Sequence, residues 1–306
     1  MAKFRDSKVI DLPTPATSSA ARADDQSLER DRPIGEILRA KAGLDAETMD
    51  RILTHMREKG IRFGDAAVAL GLVSPDDVVQ ALSEQFGYPY ANEHRRRDSP
   101  ELVSLNQPFS AQAEAFRAIR SQIMMRVFGE GEQRRALAIV SPDSGDGKTF
   151  FAANLAVTLA QTGGRTLLVD ADLRGPRQHE VFNVGNTAGL SSVLAGRVDL
   201  QVIQHIPGVP SLYVMPVGTT PPNPLELIER PAFGILMREL TSKFDHVIVD
   251  TPAGVYGADS QVVAARCGAV LVVARKNESR TDTLKQLVAA LAQSSARIAG
   301  VIVNEH

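Results

Sequence analysis

A glycine followed by lysine and threonine, at the end of a short flexible loop, suits the handling of phosphate. Gly147-Lys148-Thr149 stand in that arrangement within "SPDSGDGKTFF", residues 141–151. Lys148 is placed to reach the β- and γ-phosphates of a nucleotide, and Thr149 to set its hydroxyl on Mg²⁺. Gly145 and Gly147 let the backbone come close. The loop from Ser144 through Asp146 to Phe150 offers backbone N–H groups to phosphate oxygens, and a helix N-terminus adds its partial positive charge. The glycine that opens the usual pattern, five places before Gly147, is Pro142 here. ATP and Mg²⁺ are the cofactors this loop implies.

Acidic residues follow in the right order. "TLLVDADLRGPR" carries Asp170 and Asp172 at a strand end, where alternate residues point the same way. Two carboxylates beside a triphosphate repel it unless a metal ion or a transferable proton intervenes. One of the pair can help hold the metal, and the other can accept a proton from an attacking hydroxyl. A pair of helix-capping aspartates is the plainer alternative. "FDHVIVDTPAG" ends an apolar strand in Asp250, which suits holding a metal-bound water. The expected metal set is therefore Thr149, Asp172 and Asp250, and the expected catalytic set Lys148, Asp170 and Asp172. Asn304, closing "IAGVIVN", is a candidate adenine contact or a turn residue.

These side chains need a scaffold, and the pattern from about residue 110 supplies one. A helix, "AQAEAFRAIRSQIMMRVF", leads in. Short apolar strands ("ALAIV", "TLLVD", "SLYVMP", "HVIVD", "AVLVVA", "IAGVIVN") then alternate with helices. That grammar predicts an α/β fold: a mostly parallel sheet with helices on both faces and ligands at the carboxyl ends of the strands. Upstream, 32–90 reads as a small helical domain built of two similar units, with Ser74 as N-cap of the last helix, Pro75 in its first turn and Asp77 at N3. Residues 1–31 have the composition of a flexible tail, and 91–109 reads as a linker with a solvated run at Arg95–Arg97. The P-loop domain is expected over 110–306.

With 306 residues, two domains are expected. A net charge of -2 gives no field that would draw the chain onto nucleic acid, so no nucleic-acid partner is expected. Cys267 is the single cysteine, which excludes an internal disulfide; buried packing is its expected role. No apolar run approaches the ~18 residues of a membrane span. The expected location is cytoplasmic, with any membrane contact made through a partner.

The loop "SPDSGDGKT", the acidic segment "LLVDADLR" and the strand "VIVD" together resemble the bacterial tyrosine kinases (BY-kinases), within the MinD/ParA-like branch of P-loop proteins. MinD and ParA carry a signature lysine where this chain has Asp143. The form D-x-D-x-R fits the kinases through Asp170, Asp172 and Arg174. "EAFRAIR" matches their E-x-x-R-x-x-R motif through Glu114, Arg117 and Arg120, which the resemblance places at the interface of a ring-shaped homo-oligomer formed through the helix at 110–128. Spacings of three and six keep these residues on one helix face. "GLSSVLAG" and "PPNPLELI" are further family landmarks.

The resemblance is of the EpsG type. It implies an ATP-Mg²⁺-dependent protein tyrosine (auto)kinase that regulates exopolysaccharide chain length, polymerisation or export. Its partner would be a separate membrane chain-length determinant (Wzz-like) protein, which implies a place for the chain peripheral to the inner membrane. The chain ends at "VIVNEH" without the tyrosine cluster that kinases of this family usually autophosphorylate, and its tyrosines are Tyr88, Tyr90, Tyr213 and Tyr256. A nucleotide-switched ATPase assembly factor of the same system is the alternative.

"RFGDAAVALGLVSPDDVVQALSEQFG" is similar to the N-terminal domain of type II secretion and pilus ATPases through Arg62, Gly64, Gly71 and Gln85. Tandem copies in some relatives bind cyclic di-GMP, which makes these residues its possible site. The first copy departs from the pattern at Arg32, Gly35 and Arg57. Protein docking is the other role the domain suits.

Overall fold

The computed structural model describes residues 33–85, 99–129, 131, 133–197 and 201–305. The expected tail, Tyr88, Tyr90 and the run Arg95–Arg97 lie outside the described residues. The chain divides into two compact units, with the boundary between Tyr90 and Ala91.

Among its described residues the first unit holds four helices: α1 (Ile34–Ala42), α2 (Ala46–Lys59), α3 (Phe63–Ala69) and α4 (Pro75–Gln85). Asp45 caps α2 by accepting from Thr48 N at 2.8 Å. Ser74 and Asp77 cap α4 reciprocally: Asp77 N donates to Ser74 Oγ (3.1 Å), and Ser74 N donates to Asp77 Oδ2 (2.8 Å). Gly43 and Gly60 end α1 and α2 in the left-handed conformation (φ 63° and 64°), which glycine adopts without steric cost. The apolar stripes meet in a core of Ile37, Leu38, Ile52, Ala66, Ala67, Val73 and Ala81.

The second unit is a seven-stranded sheet in the order β3-β4-β2-β5-β1-β6-β7. Its strands are β1 (Ala136–Val140), β2 (Thr166–Asp170), β3 (Gln204–His205), β4 (Leu212–Met215), β5 (His246–Asp250), β6 (Gly268–Arg275) and β7 (Arg297–Asn304). All neighbours are parallel except β3, which runs antiparallel to β4 at the edge. The long helices are α5 (Ala111–Arg126), α6 (Lys148–Ala160), α7 (Pro231–Lys243), α8 (Asp259–Cys267) and α9 (Thr281–Ala292). Strands β1, β2, β4 and β5 are buried along their whole length, as a parallel sheet covered on both faces requires. Ala136, Ala138 and Val140 enter one core with residues of α7, α8 and α9, while Leu137 and Ile139 enter the other with α5 and α6. Cys267 is buried in the first of these cores, and burial pushes its thiol pKa up.

Two features depart from the sequence reading. Strand β3 is two residues long and carries no periodicity that a sequence pattern could register. Residues 99–109, read as the end of a linker, pack onto the second unit. Leu102 and Leu105 are buried there, and the Asn154 side chain of α6 accepts from Ser104 N (2.9 Å) and donates to Glu101 O (2.9 Å). Buried leucines and the distant side chains of Asn154, Gln161 and Arg177 dock a segment that looks irregular in isolation. Among the described residues, no helix is long and apolar enough to cross a membrane.

Candidate active site

The loop 141–147 joins β1 to α6 at the carboxyl edge of the sheet. Gly145 and Gly147 hold φ of 89° and 94°, so both need the freedom of glycine. Lys148 opens α6 and is buried, its Nζ donating to Ser141 Oγ at 2.9 Å and to Asp143 O at 3.5 Å. The lysine is thus folded back across its own loop, where an arriving phosphate can exchange for these neutral acceptors. A turn at Gly254–Tyr256 braces the start of the loop: Gly254 N donates to Ser141 O (2.8 Å) and Val255 N to Pro142 O (2.9 Å).

Asp170 and Asp250 are register partners at the ends of adjacent strands β2 and β5, and both are buried. Burial, then the Asp250 and Asp172 charges, push the Asp170 carboxyl well above the usual carboxylate range despite its backbone hydrogen bonds. Burial likewise raises Asp250 to about 6, against the opposing influence of Gln178, Lys148 and the Thr149 hydroxyl. Close, desolvated and of one sign, the pair holds protons more tightly than free carboxylates do, and a cation beside it would relieve the repulsion. Asp250 Oδ2 accepts from Gln178 Nε2 at 2.8 Å, but Oδ1 is buried without a hydrogen-bond partner, as is Gln178 Oε1. Orphaned buried oxygens beside Thr149 and a phosphate loop fit a small hard cation. Among the described residues no cluster of three or more His, Cys, Asp or Glu side chains would hold a metal ion unaided. Mg²⁺ in such a site needs only one or two protein ligands, with phosphate and water supplying the rest.

Asp170 also serves the backbone. Its Oδ1 accepts from Asp172 N (3.1 Å), and its Oδ2 accepts from Arg177 N (3.2 Å) and Gln178 N (3.0 Å), where a one-turn helix begins. Strand β2 stops at Asp170, so the turn after it, rather than strand alternation, orients Asp172. That residue is half-buried, and its Oδ1 accepts from Arg174 N (3.1 Å) and Gly175 N (2.9 Å). Arg174 forks onto the buried Asp259 at the start of α8, with Nε donating to Oδ1 (3.1 Å) and an Nη to Oδ2 (3.2 Å). Gln178 was not singled out by the sequence reading. A lone glutamine has no motif, and it joins the site only because the segment after β2 folds back beneath Asp250 and the Thr149 carbonyl.

The other expected residues fall in three places. Asn304 reaches the loop, donating from Nδ2 to Asp146 O at 3.2 Å. On α5, Glu114 pairs with Arg117; Arg117 also donates to Pro108 O (2.6 Å) and Arg120 to Thr158 O (2.9 Å), so both arginines are tied to their own subunit. In the helical unit Arg62 is exposed and Gln85 half-buried. Gly64 is buried where a Cβ would lie 2.6 Å from Val78 Cγ1, and Gly71 holds φ 66°, so packing and backbone conformation alone account for both glycines. Of the described tyrosines, Tyr213 is buried against Phe244 and His205, and Tyr256 is half exposed.

The CobQ/CobB/MinD/ParA nucleotide-binding domain family matches residues 137–306, more than half of the chain. Tyrosine-protein kinase CpsD of Streptococcus agalactiae is 33% identical over 193 residues, covering 63% of this chain and 82% of CpsD. The chain belongs to the bacterial tyrosine kinases. The tyrosine-protein kinase wzc of Salmonella typhi is 32% identical over 213 residues, 69% of this chain but only 29% of wzc, so the chain spans less than a third of that relative. The kinase domain of Escherichia coli tyrosine kinase ETK superposes with a TM-score of 0.64 at 34% identity, covering 70% of this chain and 84% of that one. As a bacterial tyrosine kinase the chain has the MinD/ParA-like P-loop fold, and its enzyme class is that of the protein-tyrosine kinases.

Proposed function

We propose that this chain transfers the γ-phosphoryl group of ATP to a tyrosine hydroxyl in a system that makes or exports exopolysaccharide. The observation that carries the reading is the buried Asp170–Asp250 pair beside Lys148 and Thr149, with an oxygen of Asp250 left for a cation. Lys148 leaves Ser141 and Asp143 to bind the β- and γ-phosphates. Thr149 and Asp250, with Asp172 beside them, would hold Mg²⁺, which when bound offsets charge on the transferring phosphoryl group. The tyrosine oxygen attacks the γ-phosphorus in line, the bond to the bridging oxygen breaks, and ADP leaves. The phenolic proton passes to Asp170 or Asp172. Asp172 is the more open of the two carboxylates, while Asp170 spends its oxygens on three backbone N–H groups, which favours Asp172 as acceptor and Asp170 as the residue that shapes the turn.

The acceptor would be presented by another copy or by a separate membrane chain-length determinant protein of the Wzz type. Assembly as a homo-oligomer through α5, with Glu114, Arg117 and Arg120 at the interface, accords with the exposed Glu114. The helical unit would dock a partner, with cyclic di-GMP at Arg62 and Gln85 as the small-molecule alternative; titration calorimetry reads it directly, and absence of heat with intact protein rejects it.

The decisive assay supplies purified protein with ATP, Mg²⁺ and the cytoplasmic tail of the membrane partner, and maps phosphotyrosine by mass spectrometry. Phosphate that disappears in Lys148→Met supports the kinase. ATP turnover with no phosphotyrosine on either protein would leave a nucleotide-switched assembly factor instead.

A further inference from the structure

The geometry points to a clamp that positions the phosphate loop from outside, built by Ser279 and Asn304 on the two strand ends beyond β1 and anchored on Asp146. An acidic side chain inside a phosphate-binding loop is a liability, since a free carboxylate there repels the ligand. Asp146 is almost completely buried and all its oxygens are engaged. Oδ1 accepts from Ser279 Oγ at 2.7 Å, Oδ2 accepts from Asp143 N at 2.9 Å, and the main-chain oxygen accepts from Asn304 Nδ2 at 3.2 Å.

The clamp is itself held in place. Arg275 N, at the end of β6, donates to Ser279 Oγ at 2.7 Å, which leaves the hydroxyl proton for Asp146. The turn between them contains Asn277 at φ 63°, a conformation asparagine tolerates better than most residues. Lys276 N donates to Asn304 O at 2.8 Å, so the two arms, from the ends of β6 and β7, are joined. The same Asn304 amide occupies the space that a Cβ on Gly147 would enter, so a side chain there would push the amide off the loop, and the φ of 94° favours glycine independently. Ser279 and Asn304 therefore act as positioning residues. They fix the direction of the loop's only carboxylate after Asp143, and through its carbonyl the orientation of the peptide leading to Gly147.

This inference rests on the loop as a phosphate site and not on the identity of the phosphate acceptor. It also separates two roles for Asn304, since an adenine contact would act on the base and a clamp on the phosphates. The test measures affinities for Mg-ADP and for inorganic triphosphate by calorimetry in the full chain, together with the melting temperature. Ser279→Ala and Asn304→Ala are each expected to bind both ligands about 10-fold more weakly, the loss of roughly one hydrogen bond to a charged or polarised acceptor. Melting should fall by no more than a few degrees in Ser279→Ala, the cost of one unsatisfied buried oxygen, and Ser279→Thr, which keeps the hydroxyl, should stay within about 2-fold of wild-type affinity. Wild-type affinity in Ser279→Ala would overturn the clamp. So would an Asn304→Ala protein that loses ADP affinity and keeps triphosphate affinity. If Ser279→Ala does not fold, the Asn304→Ala ligand comparison decides. Failure of the wild type to bind either ligand would remove the nucleotide site itself, a result distinct from failure of the clamp.

Discussion

Replacing the carboxylate that the site needs should make the metal-free protein more stable. Asp250 is buried beside Asp170, and its pKa rises from 3.8 to about 6, chiefly through loss of solvation. A folded-state carboxyl that binds its proton more tightly than the unfolded chain destabilises the fold as pH climbs from about 4 past 6. At roughly 1.4 kcal/mol per pH unit, the total is about 3 kcal/mol once the group is fully ionised, and about half of it develops between pH 5 and pH 8. Asp250→Asn removes that charge and keeps an oxygen to accept from Gln178. Its effect on packing is independent of pH, so the slope of the difference isolates the ionisation. The assay is urea unfolding followed by circular dichroism at pH 5, 6, 7 and 8, with a chelator present. The variant's advantage should grow with pH, and its midpoint at pH 8 should exceed the wild-type one by about 1 M. Adding Mg-ATP should reverse the order, because only the wild type retains the cation ligand. A stability difference that stays constant across the pH range would refute the argument, since Asp250 would then ionise as freely in the fold as in the unfolded chain.

Three further outcomes follow from single contacts. Arg174→Ala should cost about 2 kcal/mol by leaving Asp259 buried without its cation, and Arg174→Ala/Asp259→Asn should recover most of it in denaturant unfolding. Gly64→Ala should destabilise the helical unit by about 1–2 kcal/mol through its clash with Val78, Val78→Ala should relieve it, and ATP binding should be unaffected in both. Between the described tyrosines, phosphate should map to the half-exposed Tyr256 and not to buried Tyr213; modification at Tyr213 with the fold intact would contradict the packing of β4.

What could be read along the chain was whatever depends on neighbours in sequence. The phosphate loop is local: two glycines, a lysine and a threonine between an apolar strand and a helix need no distant partner to declare their use. Strands β1, β2 and β5 are legible because a strand covered on both faces must be apolar throughout, and the cap at Ser74 marks a helix start by side-chain chemistry alone. The acidic residues were legible as types but not in their states. Only the register of β2 on β5 sets Asp170 against Asp250, and only burial raises their pKa values, a property of the surrounding dielectric rather than of the residues. Gln178, Ser279 and the docking of 99–109 carry no local pattern. Each gains its role from a contact across tens of residues or more, and a hydrogen bond between distant segments leaves no periodicity in either. The sequence alone thus marked the loop as a phosphate site, and the tertiary structure decided which side chains surround it, which of them keep their protons, and what holds the loop in place.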